Sequence, residues 1–134
     1  MAALAGTHHA ALSVSDLEVS ARWYREVLGL EETFRQESEV PKMVVMRFAG
    51  LRHTVGLVEH KHPGVGFSAQ NVGLDHLAFS VASAEELAAW PVRLDEWGVS
   101  YSGPSETPFG GMLNFEDPDG IALALFWERG EAPA

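Results

Sequence analysis

Two stretches of the chain, HAALSV from His9 and HLAFSV from His76, are identical at four of six positions. Their offset is 76 − 9 = 67 residues, half of the 134-residue chain, and Trp23 and Trp90 are separated by the same 90 − 23 = 67. Similarity at a fixed long offset marks an internal repeat, which limits the fold to two copies of one supersecondary unit.

Each half reads as a strand, a helix and three more strands. Residues 9–14 alternate as a strand does, and Ser15-Asp16-Leu17-Glu18 follows, with Ser15 or Asp16 able to cap a helix and Glu18 completing a capping box from Ser15. The helix is expected to run to about Leu28 and stop at Gly29. Strands are then expected near residues 30–37, 42–48 and 53–58, with Ala49-Gly50-Leu51 as a turn. The second half predicts a strand over 74–81, a helix from about Ala84 to Trp97 with a Ser83–Glu86 capping box, and a stop at Gly98. Pro91 lacks an N–H to donate, so a kink or a later helix start is expected there. Strands near 99–102, 111–116 and 121–127 complete the half, with Asp117-Pro118-Asp119-Gly120 as a hairpin turn. The organisation is a single domain: module one over about 7–60, a connector over about 61–73, module two over about 74–128, and a frayed tail over 129–134.

Strand alternation sorts the side chains by face. Ala10, Leu12 and Val14, and likewise Leu77, Phe79 and Val81, belong against the helices. His9, Ala11 and Ser13, with His76, Ala78 and Ser80, take the other face. In the last strand of module two, Ile121, Leu123, Leu125 and Trp127 form the apolar set, while Ala122, Ala124 and Phe126 oppose it. In module one Val55 and Leu57 oppose Thr54, Gly56 and Val58. A face of small residues and two histidines is a poor core and a good floor for a ligand.

Charge and composition narrow the partners. Nine basic against 19 acidic residues give a formal charge of −10, which disfavours nucleic acid and anionic membranes and suits a cationic small molecule. No apolar run approaches the roughly 20 residues of a membrane span, and the first residues lack the pattern of a signal peptide, so a cytoplasmic protein is expected. With no cysteine, any metal would be held by His, Asp, Glu or water.

The segments HAALSVSDLEVSARWYREVLGL (9–30), GLDHLAFSV (73–81) and FEDPDGIALALFW (115–127) together resemble the vicinal oxygen chelate superfamily of glyoxalase I, extradiol dioxygenases, and fosfomycin and bleomycin resistance proteins. The resemblance implies an α+β fold of two tandem βαβββ modules forming an open, eight-stranded barrel-like cup, in a homodimer. It also implies a divalent metal ion (Fe, Zn, Mn or Ni) held by the first and last strands of each module. The first-strand histidines map onto His9 and His76. The last-strand carboxylate positions map onto Gly56 and Ala124, neither of which can bind a metal through its side chain. Glu116 and Asn114, which share a parity, and His60, which shares that of Gly56, are the conceivable replacement ligands, with substrate oxygens as a further one; Thr54, Gly56, Phe109, Met112, Asn114, Ala124 and Phe126 are expected to contact substrate. His8 takes the opposite parity to His9 and is left out; His53 and His62 read as surface residues, and Trp23 and Trp90 as packing. The stretch TPFGGMLNF (107–115) reads as a loop entering a strand, with a mobile lip over the site as the alternative.

Two functions compete, the first being the one the sequence favours, and a degenerate module with an interaction role is a third for which no residue speaks. One is a metal-dependent lyase, isomerase or dioxygenase-like enzyme, with no catalytic base identified and glyoxalase I chemistry itself disfavoured by the missing carboxylates. The other is a metal-free protein that sequesters a small molecule, as bleomycin resistance proteins do.

Overall fold

The computed structural model describes residues 2–38, 40–50 and 53–130. The expected tail falls outside these residues at 131–134, as does Leu51 of the expected turn. The chain divides into two compact units, Met1–Val65 and Gly66–Ala134. In the first, β1 (His9–Ser13), α1 (Leu17–Glu26), β2 (Glu31–Gln36), β3 (Lys42–Arg47) and β4 (Thr54–Glu59) follow in order. The second repeats them as β5 (Leu77–Ser80), α2 (Ala84–Glu96), β6 (Tyr101–Thr107), β7 (Gly110–Glu116) and β8 (Ala122–Glu128). Each unit has its own mixed sheet, ordered β1-β4-β3-β2 and β5-β8-β7-β6, and each sheet is open rather than closed into a barrel. The duplicated βαβββ plan is thus observed element for element.

Each sheet is covered on one face by its own helix. Leu17, Ala21 and Tyr24 of α1 are buried with Leu12, Val44, Met46, Val55 and Leu57 of the first sheet. Leu87 and Leu94 of α2 are buried with Leu113, Phe115, Leu123 and Leu125 of the second. Full burial of each such side chain contributes about 1.5–3 kcal/mol. The sequence-based division of faces therefore holds in both modules.

The helix ends show where local signals compete. Asp16, not Ser15, caps α1, accepting a 3.1 Å bond from the Val19 N–H. Glu18, in the first turn, is held by Arg35 of β2. The Arg35 guanidinium also binds Glu32 at 2.6 Å and Glu37 at 2.7 Å, tying β2 to the first turn of α1. In α2 the capping box appears: Ser83 accepts from the Glu86 N–H at 3.1 Å, and the Glu86 carboxylate returns to the Ala82 N–H at 3.3 Å. The helix begins at Ala84 and runs through Pro91 without the later start expected, its first turns held by that cap and by buried Leu87 and Leu94. β6 extends to Thr107, beyond the expected 102, and meets β7 in a tight hairpin.

That hairpin is tied down by hydrogen bonds at its turn. Thr107 Oγ1 accepts from the N–H groups of Phe109 and Gly110, at 3.2 and 3.1 Å. The Arg129 N–H donates to the Phe109 carbonyl at 2.8 Å, anchoring the turn to the strand beside it. Gly110 has φ 156°, and a Cβ there would lie 1.8 Å from the Trp127 carbonyl oxygen. A methyl group at this point must push two paired strands apart. Gly110→Ala is accordingly expected to destabilise the protein by about 2–4 kcal/mol, read as a lower urea midpoint. An unchanged midpoint would remove the constraint.

The ion cluster makes a second prediction. The hydrogen bond and charge of Arg35 hold the Glu32 carboxyl below its ordinary value of 4.5. A carboxyl with a depressed folded-state pKa stabilises the fold above the unfolded value and loses that contribution as the pH falls through the lower folded value. Glu32→Gln should therefore cost about 0.5–1 kcal/mol at neutral pH and flatten the fall in stability below pH 4.5, seen in urea titrations across pH.

Candidate functional site

The uncovered face of the first sheet can be read row by row from its register. His9 lies opposite Thr54, which lies opposite Arg47, itself paired with Glu31. The next row is Ala11, Gly56, Val45 and Phe34, and the third is Ser13, Val58, Met43 and Gln36. The middle row is a shallow apolar floor whose two smallest members lie next to each other: a Cβ built on Gly56 would sit 3.5 Å from that of Ala11. Polar groups stand at both ends of it. Phe34 is 53% exposed, a large aromatic surface with no helix above it.

The second sheet keeps the skeleton and changes the floor. Ala78 pairs with Ala124, Ala124 with Asn114, and Asn114 with Ser102. The next row is Ser80, Phe126, Met112 and Ser105. Ala11 against Gly56 and Ala78 against Ala124 are the same pairing in the two modules, so Gly56 is the structural counterpart of Ala124. Where the first floor has Val45 and Phe34, the second has Asn114 and Ser102. The first favours an apolar or aromatic surface, the second a hydrogen-bonding one.

The histidines stand at the starts of the two first strands. His9 opens β1, and His76 directly precedes β5, which begins at Leu77 rather than at 74 as expected. Both are exposed. His76 Nδ1 lies 2.7 Å from Asp75 Oδ1. His9 Nδ1 lies 2.8 Å from Nδ1 of His8, their rings edge-on at 5.1 Å. His8 therefore does not point away from His9. It precedes β1, so strand alternation does not govern it, and its side chain folds onto its neighbour. The sequence signal for both contacts was simple adjacency.

The remaining candidates spread along the faces. His60 Nε2 is 3.3 Å from Ser13 Oγ, at the far end of β1 from His9. Glu116 pairs with Ala122, and its Oε2 lies 3.9 Å from where a Cβ at Gly120 would stand, over the turn. In that turn Asp117 Oδ1 accepts from the N–H groups of Asp119 and Ile121, each at 2.9 Å, the Asx turn that the D-P-D-G text predicts. Thr54 and Gly56 lie on the first uncovered face, and Met112, Asn114, Ala124 and Phe126 on the second. Phe109 is at the tip of the β6–β7 hairpin, 53% exposed. Trp23 packs edge-on to Tyr24, and Trp90 lies 5.5 Å from the Arg93 guanidinium.

The donor chemistry is a poor match for a resident divalent ion. Such an ion takes three or four N and O ligands, with a carboxylate to offset its charge. Beside the first strands stand Gly56 and Ala124. Among the described residues no three His, Asp or Glu side chains group as a metal site. Restoring the carboxylate tests this: Ala124→Glu should raise Zn²⁺ affinity by roughly tenfold or more, measured by calorimetry, and His76→Ala in that background should abolish the gain. No gain would show that the second face cannot hold a metal even with its carboxylate returned.

Comparison with known proteins agrees with the geometry. The family model described as Glyoxalase/Bleomycin resistance protein/Dioxygenase superfamily matches residues 6–125. The putative ring-cleaving dioxygenase MhqA of Bacillus subtilis (strain 168) is 25% identical over 90% of this chain, which spans only 39% of MhqA's length. The uncharacterized protein YqjT of the same organism is 30% identical, covering 88% of this chain and 95% of YqjT. Among solved structures, the glyoxylase/bleomycin resistance protein/dioxygenase domain from Frankia sp. EAN1pec is 36% identical with a TM-score of 0.85, covering 95% of this chain and all of that one. Among the described residues no helix is long and apolar enough to cross a membrane. A matching family model over most of the chain, a duplicated βαβββ fold and histidines at the starts of both first strands have one reading: the chain belongs to the glyoxalase/bleomycin resistance protein/dioxygenase superfamily.

Proposed function

We propose that the protein binds a small organic molecule on the helix-free faces of its sheets and works by holding it, without a resident metal centre. One observation carries this reading. In both modules the residue paired beside the first strand, at the place of the family carboxylate, is too small to coordinate anything: Gly56 against Ala11, and Ala124 against Ala78. Losing a carboxylate there removes a metal ligand. Taken by itself, the floor of Val45, Phe34 and Met43 in module one suits an aromatic surface, and that of Asn114, Ser102 and Ser80 in module two suits a polar one. The charge of −10 favours a cation. His9 and His76 then serve as hydrogen-bonding groups at the strand ends. A cytoplasmic homodimer is the setting proposed for this activity.

The second reading, a metal-dependent lyase, isomerase or dioxygenase, is favoured by one fact: histidines persist at both repeat-equivalent positions. It needs His9 and His76 as ligands, with His60, Glu116 or substrate oxygens completing the shell.

Metal content and ligand binding separate the two. Protein purified without a polyhistidine tag is expected to carry no stoichiometric Fe, Zn, Mn or Ni. It is expected to bind a member of a panel of cationic aromatic compounds, bleomycin among them, with an affinity that His9→Ala and His76→Ala each lower by roughly tenfold, the weight of one hydrogen bond to a charged group. Stoichiometric metal lost in both variants would overturn this reading in favour of the enzyme.

A further inference from the structure

The two histidines occupy equivalent places, yet the residue before each gives it a different partner. We propose that Asp75 is a positioning residue that fixes the tautomer of His76, so that Nε2 is the nitrogen offered to a ligand. The argument starts from the 2.7 Å contact between His76 Nδ1 and Asp75 Oδ1. An ionised carboxylate can only accept, so the proton of that bond belongs to Nδ1. In the neutral ring the lone pair is then on Nε2, away from Asp75. A ring oriented in this way accepts a hydrogen bond from a ligand N–H or O–H, takes a proton, or ligates a metal, always through the same atom.

Module one lacks this device. At the position equivalent to Asp75 stands His8, since 75 − 8 = 67. A contact of 2.8 Å between two Nδ1 atoms needs one donor and one acceptor, and either ring can play either part. His9 therefore offers Nε2 as either a donor or an acceptor, according to which ring donates, whereas His76 offers an acceptor only. The geometry assigns the directional role to the second module, whose floor of Asn114, Ser102 and Ser80 is also the more polar.

Asp75 is exposed, so removing it should leave the fold intact; this makes the assignment testable by spectroscopy on the whole chain. Nitrogen-15 spectra of the imidazoles would be recorded at about pH 8.5, above the ordinary histidine range. Wild-type His76 is expected to carry its proton on Nδ1. Asp75→Asn should keep that form, because the amide oxygen still accepts. Asp75→Ala should move the proton to Nε2, exchanging the order of the two ring shifts while the melting temperature stays unchanged. A wild-type ring protonated on Nε2, or an Asp75→Ala ring still protonated on Nδ1, would overturn the proposal. The inference rests on reading His76 as a ligand-facing group, but the spectra need no ligand. A failed binding assay with the tautomer intact would remove the proposed function and leave the Asp75 assignment standing.

Discussion

In each module the parallel pairing of the first strand with the last decides what the rest can do. Parallel neighbours cannot be joined by a tight turn, so a long connection must lie between them. Here that connection is a helix followed by two antiparallel strands, and the helix packs back over one face of the sheet. A helix covers only one face. The other is left with whatever the alternation puts there, and along the paired strands that is Ala11 beside Gly56 and Ala78 beside Ala124. Small residues thus pair on the face that the module's own helix does not cover.

Duplication sets two such faces, and divergence has given them different characters. Val45 and Phe34 make the first floor apolar where Asn114 and Ser102 make the second polar. The charges follow another logic. Arg35 is the best-connected cation of the first module, but it lies opposite Val44 on the helix side and is spent on Glu18, Glu32 and Glu37. It braces α1 against β2 and offers nothing to a ligand. The open faces carry histidines, hydroxyls, an amide and apolar surface, the set on which the proposed holding of an organic molecule rests.

Much of this was legible before any coordinates. A period-2 pattern beside a helical one, repeated 67 residues apart, specified two βαβββ units, because the same local rules applied twice cannot yield different topologies. Face assignment was equally secure: Leu12, Leu57, Phe79 and Leu123 are buried as alternation requires. Of the two caps the spacing allowed, Asp16 holds α1, while the pairing of Glu18 with Arg35, 35 − 18 = 17 residues on, lay beyond local spacing. The misreadings have separate causes. His8 was misplaced because strand parity was carried past the end of the strand. The β6–β7 hairpin looked loose in a glycine-rich text, but its glycines mark close backbone approach rather than freedom: a side chain on Gly110 would strike Trp127, and one on Gly111 would reach Leu87 Cδ2 at 2.7 Å.

The missing carboxylates change what the surviving histidines are for. In a ligand set with Glu at the paired strand, the metal itself would select which ring nitrogen is used. Without that carboxylate the choice falls to the neighbouring residue, which explains why the side chains preceding the two histidines matter more than their exposure suggests. Asp75 and His8 touch the same atom of equivalent rings with opposite consequences, one committing the ring and the other leaving it divided. Under the proposed function, a module whose first strand follows a committed acceptor and whose floor carries Asn114 and Ser102 would recognise the orientation of a polar group. A module with an uncommitted ring beside Phe34 and Val45 can bind surface without reading direction.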